Sequence, residues 1–86
     1  MEINKLIEIV KEKISKEIVL QKIDVEDKSF LHKSHNNNSP NKFHIKIIII
    51  SDELTPKNKI DSTKIIYKIL ENELKNHIHS IQLSIN

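Results

Sequence analysis

Five histidines and no cysteine are the chemical starting point of this 86-residue chain. Without thiols, disulfides are excluded, and a metal held by this chain alone has to use imidazole, carboxylate or carbonyl donors. His32 and His35 stand three apart in a polar run, His44 precedes an apolar stretch, and His77 and His79 alternate near the C-terminal end. Three-residue spacing serves a shared metal only if the chain turns there. Asp27 and Ser29 have the types needed for acid–base or nucleophilic work, but just after a strand such residues commonly satisfy the turn backbone, and we read them as structural. No nucleophile elbow, phosphate-cradling glycine loop or paired-carboxylate motif stands out, so no enzymatic activity is expected. Lys57, Lys59, Lys64 and Lys68 are candidates for a phosphate-binding surface, yet lysine is the ordinary residue of solvated helix faces, and Glu71 and Glu73 follow closely.

Composition narrows the field further. Fourteen basic against twelve acidic residues leave a net charge of +2, which does not compel a nucleic-acid partner. One Tyr, two Phe and no Trp leave few aromatic stacking platforms, so the core has to be built from Ile, Leu and Val. A chain of 86 residues is expected to form a single domain, 1–86, around one thin core. The longest apolar run, 47–50, is far too short to span a membrane, and the start, Met1-Glu2-Ile3-Asn4-Lys5, lacks a signal-peptide core. A cytoplasmic protein is the expectation, with an organellar one still compatible.

Several elements must position these groups. Ile3, Leu6, Ile7, Val10 and Ile14 recur at helical steps, which predicts an amphipathic helix over 2–16. Ile18-Val19-Leu20 leads into the alternation of Ile23 and Val25 with Asp24 and Glu26, a strand with one apolar face ending near Asp27. Residues 45–50 read as a central strand buried on most of both faces and closed by Ser51. Between the two strands, the Asn-, Ser- and Pro-containing run 32–42 reads as an exposed loop. After an irregular connection over 51–59, the spacing of Ile60, Ile65, Ile66, Ile69, Leu70 and Leu74 predicts a second helix over 60–75, with Asp61 or Ser62 as its N-cap. Ile81, Leu83 and Ile85 alternate with Ser80, Gln82 and Ser84 in a last half-buried strand. The order αββαβ implies an α+β two-layer sandwich: an antiparallel hairpin, then a crossover to a parallel third strand, with two helices on one face of a three-stranded mixed sheet.

The run Asp27-Lys28-Ser29-Phe30-Leu31-His32-Lys33-Ser34-His35 presents D-x-S-x-x-H-x-x-H directly after a strand, and His44 comes immediately before the next one. With the apolar strand closed by Ser51, then Asp52-Glu53-Leu54, Lys64-Ile65-Ile66-Tyr67 with Leu70, and Glu73-Leu74 followed by Ile78-His79-Ser80, the order resembles the BolA family over nearly the whole chain. Two departures stand out: Ser62-Thr63-Lys64 replaces the family's usual Arg-His-Arg triplet, and the glycines common in its first hairpin loop and before its second helix are missing. The resemblance implies a class II KH-like topology and an adaptor that pairs with a monothiol glutaredoxin of the CGFS type. It further implies a bridging [2Fe-2S] cluster in iron–sulfur assembly, trafficking or iron regulation, with thiolates from the partner and its glutathione. Carried over residue by residue, the C-terminal ligand is His79 and the loop ligand is His35 or His32, with Lys64 and Lys68 on the partner-contacting helix. No cluster is expected in the isolated chain.

By pattern alone, His79 falls in phase with Ile81, Leu83 and Ile85 and reads as a half-buried histidine at a strand entrance; the resemblance makes it a ligand. His35 is preferred over His32 because it lies deeper in the loop and can swing toward His79. His44 reads as structural and His77 as a surface neighbour. The alternative function is a nucleic-acid-binding transcriptional regulator using Lys57, Lys59, Lys64 and Lys68, a reading weakened by the missing glycine loop, basic triplet and aromatics. A weak homodimer stays open as a further association.

Overall fold

The computed structural model describes residues 2–29 and 42–86, so the loop histidines His32 and His35 lie outside the described residues. The elements run α1 (Ile3–Glu17), β1 (Lys22–Asp27), β2 (Phe43–Ile50), α2 (Lys59–Ile69), α3 (Glu71–Asn76) and β3 (Ile78–Ile85). Leu6, Val10 and Ile14, four residues apart, lie on one face of α1 and are fully buried. No side-chain cap starts this helix, so packing holds it more than capping does. It ends where Ile18 turns extended and donates its N–H to the Ile14 carbonyl at 3.0 Å.

The sheet has the order β1-β2-β3, with β1 antiparallel and β3 parallel to the central β2. This is the expected hairpin and helical crossover. Ile45, Ile47 and Ile49 point into the layer shared with the helices and are buried, whereas Lys46 and Ile48 on the other face are half-buried and Ile50 is exposed. One face of β2 is thus fully covered, rather than most of both. The strand also starts two residues earlier than its apolar run. Phe43 donates its N–H to the His77 carbonyl at 2.9 Å, and the His44 carbonyl accepts from Lys28 at 2.7 Å; both bonds come from distant chain. Buried Ser51 closes the sheet end, its Oγ donating to the Val19 carbonyl at 2.7 Å while its carbonyl accepts from Thr55 Oγ1 at 2.7 Å.

The second helical segment departs from expectation. It is capped by Asn58, whose side chain accepts the Asp61 N–H at 2.8 Å, and not by Asp61 or Ser62. Helical backbone begins at Lys59, which places Asn58 at the capping position and turns Ser62 into the core. The single helix expected over 60–75 is broken at Leu70, where φ −98° and ψ 17° leave the α region. Ile66, Leu70 and Leu74 keep their four-residue spacing through the break, and Leu74 still donates its N–H to Leu70 at 2.8 Å. The apolar periodicity therefore could not reveal it. Among the described residues the buried hydrophobic cluster is aliphatic, with Phe43 packed half-buried against it. Among the described residues none has positive φ, which suits a chain without glycine. No helix among the described residues is long and apolar enough to cross a membrane.

Candidate functional site

Parallel pairing sets the start of β3 beside the start of β2, and there the register slips by one. Phe43 stands opposite Ile78, but His44 stands opposite Ser80, which leaves His79 as the extra residue. Phasing on Ile81, Leu83 and Ile85 would carry His79 onto the core face. The slip gives that place to Ile78, 1% exposed, and turns His79 into solvent. His79 is therefore neither half-buried nor in phase with the apolar residues that follow it.

The neighbour of His79 is His44. Their ring centroids lie 4.7 Å apart with the planes tilted by 31°. His44 is only 6% exposed. Its Nδ1 shares a 2.6 Å hydrogen bond with Ser80 Oγ, and its N–H donates to Ser29 Oγ at 3.2 Å. Ser29 in turn donates its N–H to Asp27 Oδ1 at 2.9 Å, so Asp27 and Ser29 are the turn-satisfying residues expected. A fixed, buried imidazole thus stands against an exposed one at the end of the sheet. Among the described residues no group of three or more His, Cys, Asp or Glu is placed to hold a metal ion. Two imidazoles suit a site completed by donors from elsewhere.

The lysines do not join this centre. Lys57 and Lys59 line a depression with Leu83, Ser84 and Ile85, at the opposite end of β3 from His79. Lys68 lines a separate groove between α1 and α2, with Lys13, Lys16, Ile18, Ile65 and Ile69. Lys64 is exposed on α2. His77 is half-buried and acts through its backbone, its N–H donating to the Glu73 carbonyl at 2.7 Å and its carbonyl accepting from Phe43.

One element escaped sequence reasoning. Glu73, read there as an acidic neighbour of lysines and as part of the family-like Glu73-Leu74 pair, is the buried carboxylate of the described residues, at 3% exposure. Lys13 Nζ, sixty positions away, donates to both its oxygens at 2.9 and 2.7 Å. Burial alone would push the Glu73 carboxyl up, but the Lys13 ammonium, the Asn72 amide and a backbone hydrogen bond outweigh it and hold the group below its ordinary value. The signal available in sequence was a lysine on the edge of an apolar helix face, which no local pattern distinguishes from a solvated one.

A family model described as BolA-like protein matches residues 14–86. The chain is 31% identical over 76 residues to the DNA-binding transcriptional regulator BolA of Haemophilus influenzae, spanning 88% of this chain and 71% of that relative. It is 28% identical over 79 residues to SufE-like protein 1, chloroplastic/mitochondrial, of Arabidopsis thaliana, spanning 86% of this chain and only 21% of that protein's length. Among solved structures, the BolA domain of SufE1 from Arabidopsis thaliana superposes with a TM-score of 0.83 at 26% identity, over 99% of this chain and 94% of that one.

Proposed function

The chain belongs to the BolA-like family, and from that premise we propose that it is a non-enzymatic adaptor that joins a monothiol glutaredoxin of the CGFS type around a shared [2Fe-2S] cluster. The cluster is cargo, and the process it serves is iron–sulfur assembly, trafficking or iron regulation. His79 is the chain's C-terminal ligand, and the second comes from His35 or His32, or from His44, which the fold sets beside His79. The supporting observation is the slipped register, which presents an exposed imidazole next to a buried, hydrogen-bonded one.

The donor chemistry agrees with this reading. Without cysteine this chain offers no thiolate, imidazole is the nitrogen donor it has for such a cluster, and histidine on one iron raises the reduction potential. Protonation can also release an imidazole, which suits handover of cargo. His44 is held by Ser80 and Ser29, so the pair combines one fixed ring with one that is free to face a partner. The presence of a SufE-like protein among the relatives is consistent with an iron–sulfur setting.

The test is anaerobic co-purification with a monothiol glutaredoxin and glutathione, with visible absorption and circular dichroism compared between wild type and His79→Ala. An unchanged cluster spectrum in the variant would remove His79 from the ligand set. The name of the Haemophilus relative favours a second reading, DNA binding. Against it, Lys57 and Lys59 lie at one place and Lys68 at another. A titration with duplex DNA decides: phosphate contacts require affinity to fall steeply with salt.

A further inference from the structure

We infer that the Lys13–Glu73 ion pair is the positioning device for His79: it anchors α3 onto α1 and thereby fixes where β3 begins and how its first residues are turned. The consequence for the cluster rests on the reading above, but the anchor itself does not.

With six residues, α3 is too short to hold its own place, and it depends on tertiary contacts. Glu73 supplies one at its centre, both carboxylate oxygens being taken by a single ammonium on α1. From there a short relay reaches the histidines. The Glu73 carbonyl accepts from His77, the His77 carbonyl accepts from Phe43, and Phe43 is the residue preceding His44. The register slip that exposes His79 falls at Phe43/His44. A shift of α3 about its axis would move His77, and with it the point at which β3 joins β2.

An apolar pair of similar volume could supply the stability equally well, since buried ion pairs are often matched or surpassed by hydrophobic replacements. It would not fix direction in the same way. The ammonium holds both oxygens of Glu73 toward α1 and so restrains the turning of α3, whereas aliphatic packing tolerates sliding. The charged pair at this point thus serves placement.

The experiment uses the full, isotope-labelled chain and follows the nuclear Overhauser contact between the His44 and His79 rings together with their imidazole nitrogen shifts. Wild type shows the contact. The double variant Lys13→Met/Glu73→Leu keeps its melting temperature but loses the contact, and the charge exchange Lys13→Glu/Glu73→Lys recovers it. A folded double variant with the wild-type contact and shifts overturns the inference. If that variant fails to fold, Glu73→Gln decides by the same readout, and an undisturbed ring contact there overturns it equally. The same proteins are then loaded with cluster beside the glutaredoxin. Loss of the ring contact with an unchanged cluster spectrum would refute His79 as ligand while leaving the anchor standing.

Discussion

Replacing Lys13 with methionine keeps an unbranched stem and removes the counter-charge of a carboxylate whose side chain is 4% exposed. Breaking a buried pair from one side costs about 3–5 kcal/mol in general. Here the lysine side chain is 40% exposed, so water reaches the vacated side and roughly halves the penalty, to about 2 kcal/mol. For a domain of this size that lowers the melting temperature by about 10 °C at neutral pH. The dependence on pH identifies the cause. In wild type the Glu73 carboxyl is held below its ordinary 4.5, so its contribution is full above that value and is lost as pH falls through the folded one. In Lys13→Met only burial and the weaker bonds remain, the carboxyl shifts up, and the variant gains stability as the group is protonated. The gap between the two proteins should therefore be widest well above the ordinary carboxyl value of 4.5 and narrow as pH falls below it. Urea unfolding followed by far-ultraviolet circular dichroism across this range measures it. A gap that stays constant with pH would refute the electrostatic origin and assign the loss to packing alone.

Ile47→Ala, at a fully buried position on the central strand, should cost about 3–4 kcal/mol in urea unfolding and show the sheet–helix layer to be the main source of stability. Asn58→Ala removes the side-chain acceptor for the Asp61 N–H and should cost about 1 kcal/mol, whereas Asp61→Asn should cost much less than that. His79→Ala, at an exposed site, should shift stability by no more than about 0.5 kcal/mol, so that an altered cluster spectrum in that variant cannot be blamed on unfolding.

The hairpin, the crossover and α1 were legible because each is written in local periodicity: Leu6, Val10 and Ile14 for the helix, Ile23 and Val25 for the first strand, and the isoleucine run for the second. The kink at Leu70 was not, since Ile66, Leu70 and Leu74 keep one spacing on both sides of it. The cap was misassigned because Asn58, Asp61 and Ser62 are all competent capping residues, and only the position at which helical backbone starts chooses among them. The family pattern singled out His79, but the phase argument put it half inside, because a register slip leaves no trace in the residue order. His44 was visible as a strand-start histidine, yet its nearness to His79 depends on parallel pairing, and Lys13 meets Glu73 across sixty positions. His32 and His35 fall outside the described residues.

The separation of the two rings along the chain has a thermodynamic consequence. His44 and Ser80, joined by a hydrogen bond, are thirty-six positions apart, and their meeting requires the whole α2–α3 crossover to be in place. In an unfolded or half-made chain the imidazoles of His44 and His79, which neighbours Ser80, are held apart by the entropy of a long open loop. Any ligand that grips both therefore binds the native state in preference to the denatured one, and free ligand in excess raises the unfolding free energy by mass action. Occupancy and fold stability become two readings of one equilibrium. A metal that needed both rings would be gathered only after the last strand has docked.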